Sequence, residues 1–321
     1  MDIRREKNLP FSAWLPFLVG GAYGLLLRLL FSGLGPMPEA MAGAFVYGMP
    51  LAVGAVTVYL AERQSRRGWL YYFFAPWLSV TLCVAGAGLT LIEGLICIAM
   101  ALPLFVMIGS VGGLVTGLLC RQLNRPLRSV QGLTLLPLLL VLGEGLIPGG
   151  NGLDRIERSV HIDASPDAVW KLLLNPSDIR PEEVRSGLAY RIGVPVPVQA
   201  RTLDERIGGI RRSTWARGVY FDEVITDWQP GRQIAWRYAF HPDSFPPGTM
   251  DDHVVIGGQY FDLLDTTYRL TPEKGGTRLD IEVGFRTSTK FNWYAIPVAK
   301  LMIGDTAETL LGFYKGRLET K

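Results

Sequence analysis

The feature that most constrains this 321-residue chain is a break in composition near Pro148. From residue 11 to residue 147 the sequence is almost continuously apolar, and beyond that point charge becomes ordinary and strand-like alternation begins. A helix that crosses a bilayer needs roughly 20 apolar residues. Residues 13–33 and 41–61 meet that requirement, and the stretch 69–120 is too long for one crossing. It divides at Glu93-Gly94 into 69–91 and 95–120. Residues 130–147 hold Pro137 and Glu144 and form a shorter fifth segment, about 26 Å long as a helix. The expected organisation is an all-α transmembrane region of four to five helices in residues 1–150, followed by a water-soluble domain in 151–321.

Ten of the 32 Lys and Arg and six of the 29 Asp and Glu precede residue 150, so the first half is net +4 and the second −1. Neither half has the basic excess of a nucleic-acid binder, and no nucleic-acid partner is expected. Cys83, Cys97 and Cys120 all lie in apolar segments and say nothing about the soluble half's compartment. The start, MDIRREKNLP, reads as a charged flank on a retained helix rather than a cleaved signal. Three basic clusters (Arg4, Arg5 and Lys7; Arg63, Arg66 and Arg67; Arg121, Arg125 and Arg128) alternate with loops free of Lys and Arg. All three fall on one side, which the positive-inside rule makes cytoplasmic. In a bacterial inner membrane, a fifth crossing then places residues 151–321 in the periplasm, the reading preferred here. If 130–147 lies in the interface, the soluble half is cytoplasmic.

Gly109, Gly113 and Gly117 recur every four residues, a spacing that allows close helix approach. Packing inside one bundle is the plain reading, and a homodimer seam is the alternative. Arg28, Glu93 and Glu144 are charges near membrane depth, a hint of function by default. Arg28 can snorkel from a helix end and Glu93 falls in a tight loop. No pair of broken helices with internal symmetry points to a transporter.

In the soluble half, residues 155–164 alternate as a strand. Ser165-Pro166-Asp167 reads as the N-cap and first positions of a short helix through Leu173. Asn175-Pro176 and Arg180-Pro181 set off a second short helical piece. Strands are expected at 206–215, 219–228, 232–240, 258–271 and 277–287, with turns at Pro230-Gly231 and Lys274-Gly275-Gly276. A long helix follows from Trp293 to Glu319, with Pro297 in its first turn. Its apolar stripe is Ile303, Ala307, Leu310, Leu311, Tyr314 and Leu318.

This order describes an α+β helix-grip fold, an antiparallel sheet wrapped on a C-terminal helix. With IDASPDAVWKLL (162–173), ITDWQPGRQIAWRY (225–238), YRLTPEKGGTRLDIEV (268–283) and the terminal helix, residues 155–319 resemble the START-like superfamily, also called SRPBCC or polyketide cyclase/dehydrase and lipid transport proteins. The resemblance implies a cavity between sheet and helix. Its members include lipid carriers, aromatic cyclases, hormone receptors and co-chaperone domains, so it does not settle activity. The first half resembles no family.

Strand alternation proposes the cavity lining. Ile234, Trp236, Tyr238 and Phe240 share one face. Tyr260, Asp262, Leu264, Tyr268 and Leu270 share another, as do Leu279, Ile281, Val283 and Phe285, while Leu310 and Tyr314 face in from the helix. Rings with hydroxyls suit a largely apolar ligand with a polar end. Asp262, on a core-facing position, needs a partner or a raised pKa. It is either a ligand-orienting or acid/base group or, the favoured reading, a rim residue paired with an Arg such as Arg237. The long loop 241–257 is a candidate lid, with Phe245 and Met250 placed to touch lipid and Asp251, Asp252 and His253 beside them. It offers no ligand spacing on a rigid element, so no metal is expected. His161 alternates outward. No dinucleotide fingerprint, phosphate loop or nucleophile elbow occurs, and no cofactor is expected.

Three functions follow, in order of preference. The first is a membrane-anchored protein that binds a lipid or other hydrophobic small molecule as carrier, chaperone or sensor. The second is a cyclase- or dehydratase-type enzyme using Asp262, Tyr260 or His253 as acid/base. The third is a protein-interaction module.

Overall fold

The structure, a computed structural model, describes residues 10–33, 42–90, 94–123, 127–142, 149–251 and 254–319. The chain divides into two compact units, Met1–Gly149 and Gly150–Lys321.

The first unit is helical: α1 (Pro10–Gly33), α2 (Met49–Gln64) preceded by a π-helical turn at Ala44–Gly48, α3 (Trp69–Leu89), α4 (Leu95–Gln122) and α5 (Leu127–Leu142). Four of its segments, Ala13–Phe31, Ala44–Gln64, Trp69–Leu89 and Leu95–Gln122, are long and apolar enough to cross a membrane. Helix α5 has 16 residues, and the rest of the expected fifth segment, Glu144 included, lies outside the described residues, as does Glu93. The glycines are used within the chain. A methyl group on Gly113 or Gly117 would run into the Tyr72 carbonyl or ring on α3, and one on Gly54 of α2 would run into the Gly109 carbonyl. One on Gly109 would come 3.2 Å from Val80. All three glycines of the repeat are buried, packed against α2 and α3 of the same chain. Between these helices Thr57 Oγ1 donates to Ser79 Oγ at 2.7 Å, a buried polar contact of the kind that joins helices where water is absent.

The second unit is a seven-stranded antiparallel sheet with four helices. Its elements are β1 (Gly150–Ile162), α6 (Pro166–Leu174), α7 (Pro181–Val184), α8 (Leu188–Arg191), β2 (Pro197–Thr202), β3 (Ile210–Trp215), β4 (Tyr220–Gln229), β5 (Gln233–Ala239), β6 (Phe261–Glu273), β7 (Gly276–Thr289) and α9 (Asn292–Glu319). The strand order is β1-β7-β6-β5-β4-β3-β2, and α9 packs on β1 and β7, the helix-grip arrangement. Ser165 caps α6, its Oγ accepting from the Ala168 amide at 3.4 Å. Gly231 and Gly275 hold the positive φ of their turns, +71° and +90°.

Three expectations are corrected. Strand β2 is not expected from the sequence, because Pro195 and Pro197 interrupt its signal; it is one of the two edge strands and begins at a proline, where a missing N–H costs no ladder bond. Residues 206–209 form a turn with Gly208 at φ +79°, so β3 starts at Ile210 rather than 206. Helix α9 begins one residue earlier than Trp293, and Pro297 falls in its second turn.

Candidate functional site

The concave face of the sheet is apolar at its β1–β7 side, where Ile156, Leu279, Ile281, Val283 and Phe285 pack under Ala307, Leu311 and Tyr314 of α9. Toward β3 and β4 that face turns polar. Arg211 and Glu223 stand directly opposite each other in the β3–β4 ladder and form an ion pair, each side chain only 5 % exposed. The Arg211 guanidinium also donates to the carbonyls of Leu173 and Leu174 at 3.2 Å, the unpaired end of α6, and lies 4.9 Å from the Trp236 ring centre. Each contact uses a different part of the planar group, which a lysine would not replace.

A cavity of about 80 Å³ opens beside this pair. The 175–180 connection contributes Pro176 and Ile179 to its wall, β2 contributes Pro197, Gln199 and Ala200, and α9 contributes Leu310, Phe313 and Tyr314. Its floor is Arg211, Ser213, Phe221, Glu223, Trp236, Tyr238, Thr266 and Tyr268. Tyr238 and Thr266 hydroxyls lie 2.6 Å apart, and Trp236 Nε1 is buried without a well-formed hydrogen bond. Burial pushes the phenols of Tyr238, Tyr268 and Tyr314 up, so all three are neutral hydroxyls near neutral pH. Burial also pushes the Glu223 carboxyl up, and Arg211 pulls it back only in part. The result is one permanent cation, one carboxylate and a ring of hydroxyls inside a greasy wall. Such a floor suits a molecule with an apolar body and a hydrogen-bonding end.

The 175–180 wall is tied down by Arg317 of α9. Its guanidinium donates to Glu183 Oε1 and Oε2 at 2.8 and 2.9 Å and to the carbonyls of Ser177 and Asp178 at 2.6 and 2.7 Å. Arg317 holds the Glu183 carboxyl at about 2, with the Arg180 amide assisting. Asp178 sits at φ +51°, a conformation few non-glycine residues adopt. The 80 Å³ cavity is well below the roughly 300–1,000 Å³ of small-molecule sites, and its 175–180 wall is latched by Arg317.

Of the expected lining residues, Trp236, Tyr238, Tyr268, Ile281, Leu310 and Tyr314 line the cavity, whereas Ile234, Leu270, Leu279, Val283 and Phe285 fill the core. Phe240, Tyr260 and Asp262 do not line it. Phe240 stacks between Tyr238 and Phe245, with ring centres 5.9 and 5.6 Å apart. For Asp262 the cause is a bulge in β6 between Leu263 and Asp265, which reverses the side-chain parity of the strand. Phe261 and Leu263 therefore join the core, and Leu264 is the extra residue. Asp262 pairs with Arg286 at 3.9 Å, not with Arg237. Burial raises the Asp262 carboxyl, against the pull of Arg286, and Asp262 is not among the residues that line the cavity.

The described residues of the loop after β5 are not part of the cavity lining. His241 reaches Asp222 on the outer face at 3.0 Å, its amide bonds Ser244 Oγ at 2.8 Å, and Phe245 packs on Phe240. Phe245, Met250 and Asp251 are absent from the cavity lining, and Asp252 and His253 lie outside the described residues. His161 sits at the surface between Asp163 and Glu273. Arg211 and Glu223 were missed, although the signal was present: Phe221, Glu223 and Ile225 share one strand face, so a carboxylate stands between two core residues.

A family model described as polyketide cyclase / dehydrase and lipid transport matches residues 154–319. Among solved structures, the chain is similar to a protein of Chromobacterium violaceum (19% identity, 50% of this chain and 96% of that one, TM-score 0.28). It is similar to the Zhui aromatase/cyclase of a Streptomyces species (16% identity, 52% and 94%, TM-score 0.32). A protein of Mycobacterium smegmatis is a third (15% identity, 54% and 99%, TM-score 0.33). A search of curated proteins finds no match.

Proposed function

The chain belongs, through residues 154–319, to the polyketide cyclase / dehydrase and lipid transport family, and on that premise we propose that its second unit binds a hydrophobic small molecule bearing one polar end. The observation that carries this reading is the buried Arg211–Glu223 pair on the floor of an otherwise aromatic and aliphatic cavity. An ion pair in a core is not needed for stability, since well-packed apolar residues often serve as well or better. Its place beside three neutral phenols gives it a use in ligand recognition. The four apolar helices of the first unit anchor the protein in a bilayer, which keeps the cavity near a source of apolar molecules and suits a carrier, chaperone or sensor. The positive-inside rule, applied to the three basic clusters of the sequence, supports a cytoplasmic N-terminus, and with α5 as a fifth crossing it supports a periplasmic location for residues 151–321.

A photoreactive benzophenone side chain at Leu310, irradiated in cells, tests the binding. A defined small-molecule adduct at that position, absent when the probe replaces exposed Leu301, is the expected result. The same adduct profile at both positions would refute it. Labelling of a single cysteine at Ser177 by a membrane-impermeant reagent tests the sidedness: reaction in intact spheroplasts supports the periplasmic placement, and reaction only after lysis contradicts it.

A further inference from the structure

A second cluster stands in the first unit, where α2 ends, α3 begins and α4 ends. Arg121 donates from Nε to the Tyr72 hydroxyl at 3.1 Å and from Nη2 to the Arg67 carbonyl at 2.9 Å. Its guanidinium lies 4.8 Å from the Trp69 ring centre and 5.4 Å from that of Tyr72. Arg67 lies 5.0 Å from the Tyr71 ring centre, and its Nε is buried without a hydrogen bond. Arg63 and Arg66 are exposed beside them. Glu62 is fully buried and accepts from the Tyr72 hydroxyl at 2.8 Å and the Arg67 amide at 2.7 Å, so it braces the turn from inside rather than facing out. Gly68, the N-cap of α3, supplies no side-chain cap and has open space around it. The first N–H groups of a 21-residue helix therefore end beside two guanidinium planes already fixed on aromatic rings.

We infer that this end of the bundle binds the phosphate headgroup of an anionic phospholipid. Three features favour that occupant. The charge is complementary, and guanidinium forks match phosphate oxygens two at a time. The arginines are held before a ligand arrives, so little side-chain freedom remains to be lost. Trp69 and Leu70, 49% and 76% exposed in the first turn of α3, are placed as an interfacial aromatic and the apolar residue that follows it into the acyl region. Basic pockets between helices at the cytoplasmic boundary recognise anionic headgroups by this same chemistry. The inference rests on the reading that these helices cross a bilayer and is independent of the cavity in the second unit.

The test is native mass spectrometry of the full-length protein released from micelles holding equal phosphatidylglycerol and phosphatidylcholine. The wild-type chain is expected to retain phosphatidylglycerol about tenfold over phosphatidylcholine, with the preference falling as ionic strength rises. Arg67→Gln/Arg121→Gln is expected to lose it, and Arg121→Lys, which keeps the charge but not the fork, to lose most of it. The salt dependence needs no variant and stands even if the double variant folds poorly. Equal retention of the two lipids by wild type, or an unchanged preference in a folded double variant, would overturn the inference. Carbonate extraction of membranes separates the two claims: a protein that stays in the membrane but shows no preference refutes the headgroup site alone, and a protein that is released refutes the membrane reading and the site with it.

Discussion

Replacing Glu223 by Gln removes one charge from a pair in which both side chains are 5 % exposed. Arg211 then remains charged beside Trp236 and under α6, with the Leu173 and Leu174 carbonyls as its main partners. Stranding a buried ion in this way costs about 3–5 kcal/mol. For a domain of this size, 1 kcal/mol shifts the midpoint by roughly 2–4 °C, so Glu223→Gln should lower the second unit's melting temperature by about 10 °C. The double replacement Arg211→Met/Glu223→Leu behaves differently. It removes both charges and refills the volume with apolar atoms, a change that is often neutral or stabilising. Its melting temperature should lie within a few degrees of wild type or above it, while ligand retention is lost. The assay is thermal unfolding of the full-length protein in detergent, followed by tryptophan fluorescence, with bound small molecules extracted and weighed in parallel. A double variant as unstable as the single one would show that the pair is a structural requirement, and the argument that it is kept for recognition would fail.

Three further outcomes are expected. Glu183 has a folded pKa of about 2, below its unfolded value, so its contribution is fully present above about pH 4.5 and is lost as pH falls toward 2. Discounted for its contact with solvent, that contribution is about 1 kcal/mol, and Glu183→Gln should flatten the acid limb of the stability–pH curve by that amount; an unchanged limb would refute the assignment. Gly54→Ala should impair the first unit more than Gly109→Ala, because the first methyl meets a backbone carbonyl and the second a valine side chain at 3.2 Å that can turn; equal thermal stabilities in detergent would contradict this packing. Asp262→Asn should leave ligand retention within twofold of wild type, since Asp262 faces Arg286 and not the cavity; loss of binding would contradict the placement made by the β6 bulge.

The parts of the fold legible in the sequence were those governed by local rules. Ser165-Pro166 announced α6, Gly231 and Gly275 marked their turns, and the stripe through Ala307, Leu311 and Tyr314 placed one face of α9 against the sheet. What escaped was set by pairing between strands. The bulge at Leu263/Asp265 has no signature in FDLLDTTYRL, yet it decides that Asp262 faces away and Thr266 faces in. Strand β2 was hidden because its first residue, Pro197, is tolerated at an edge, and edge position is a property of the finished sheet. The Arg211–Glu223 pair needed the register of β3 on β4, although Glu223 between Phe221 and Ile225 was a visible anomaly. The latch through Arg317 joins residues 134 apart in sequence, and no local pattern encodes it.

The central claim, that the cavity around Arg211 holds a specific hydrophobic ligand, is tested most directly by native mass spectrometry of the detergent-purified full-length protein beside its Arg211→Met/Glu223→Leu variant. The account predicts one stoichiometric small molecule on the wild-type chain and none on an equally folded variant. A wild-type chain that carries no such molecule, or a variant that carries the same one at the same occupancy, would contradict it.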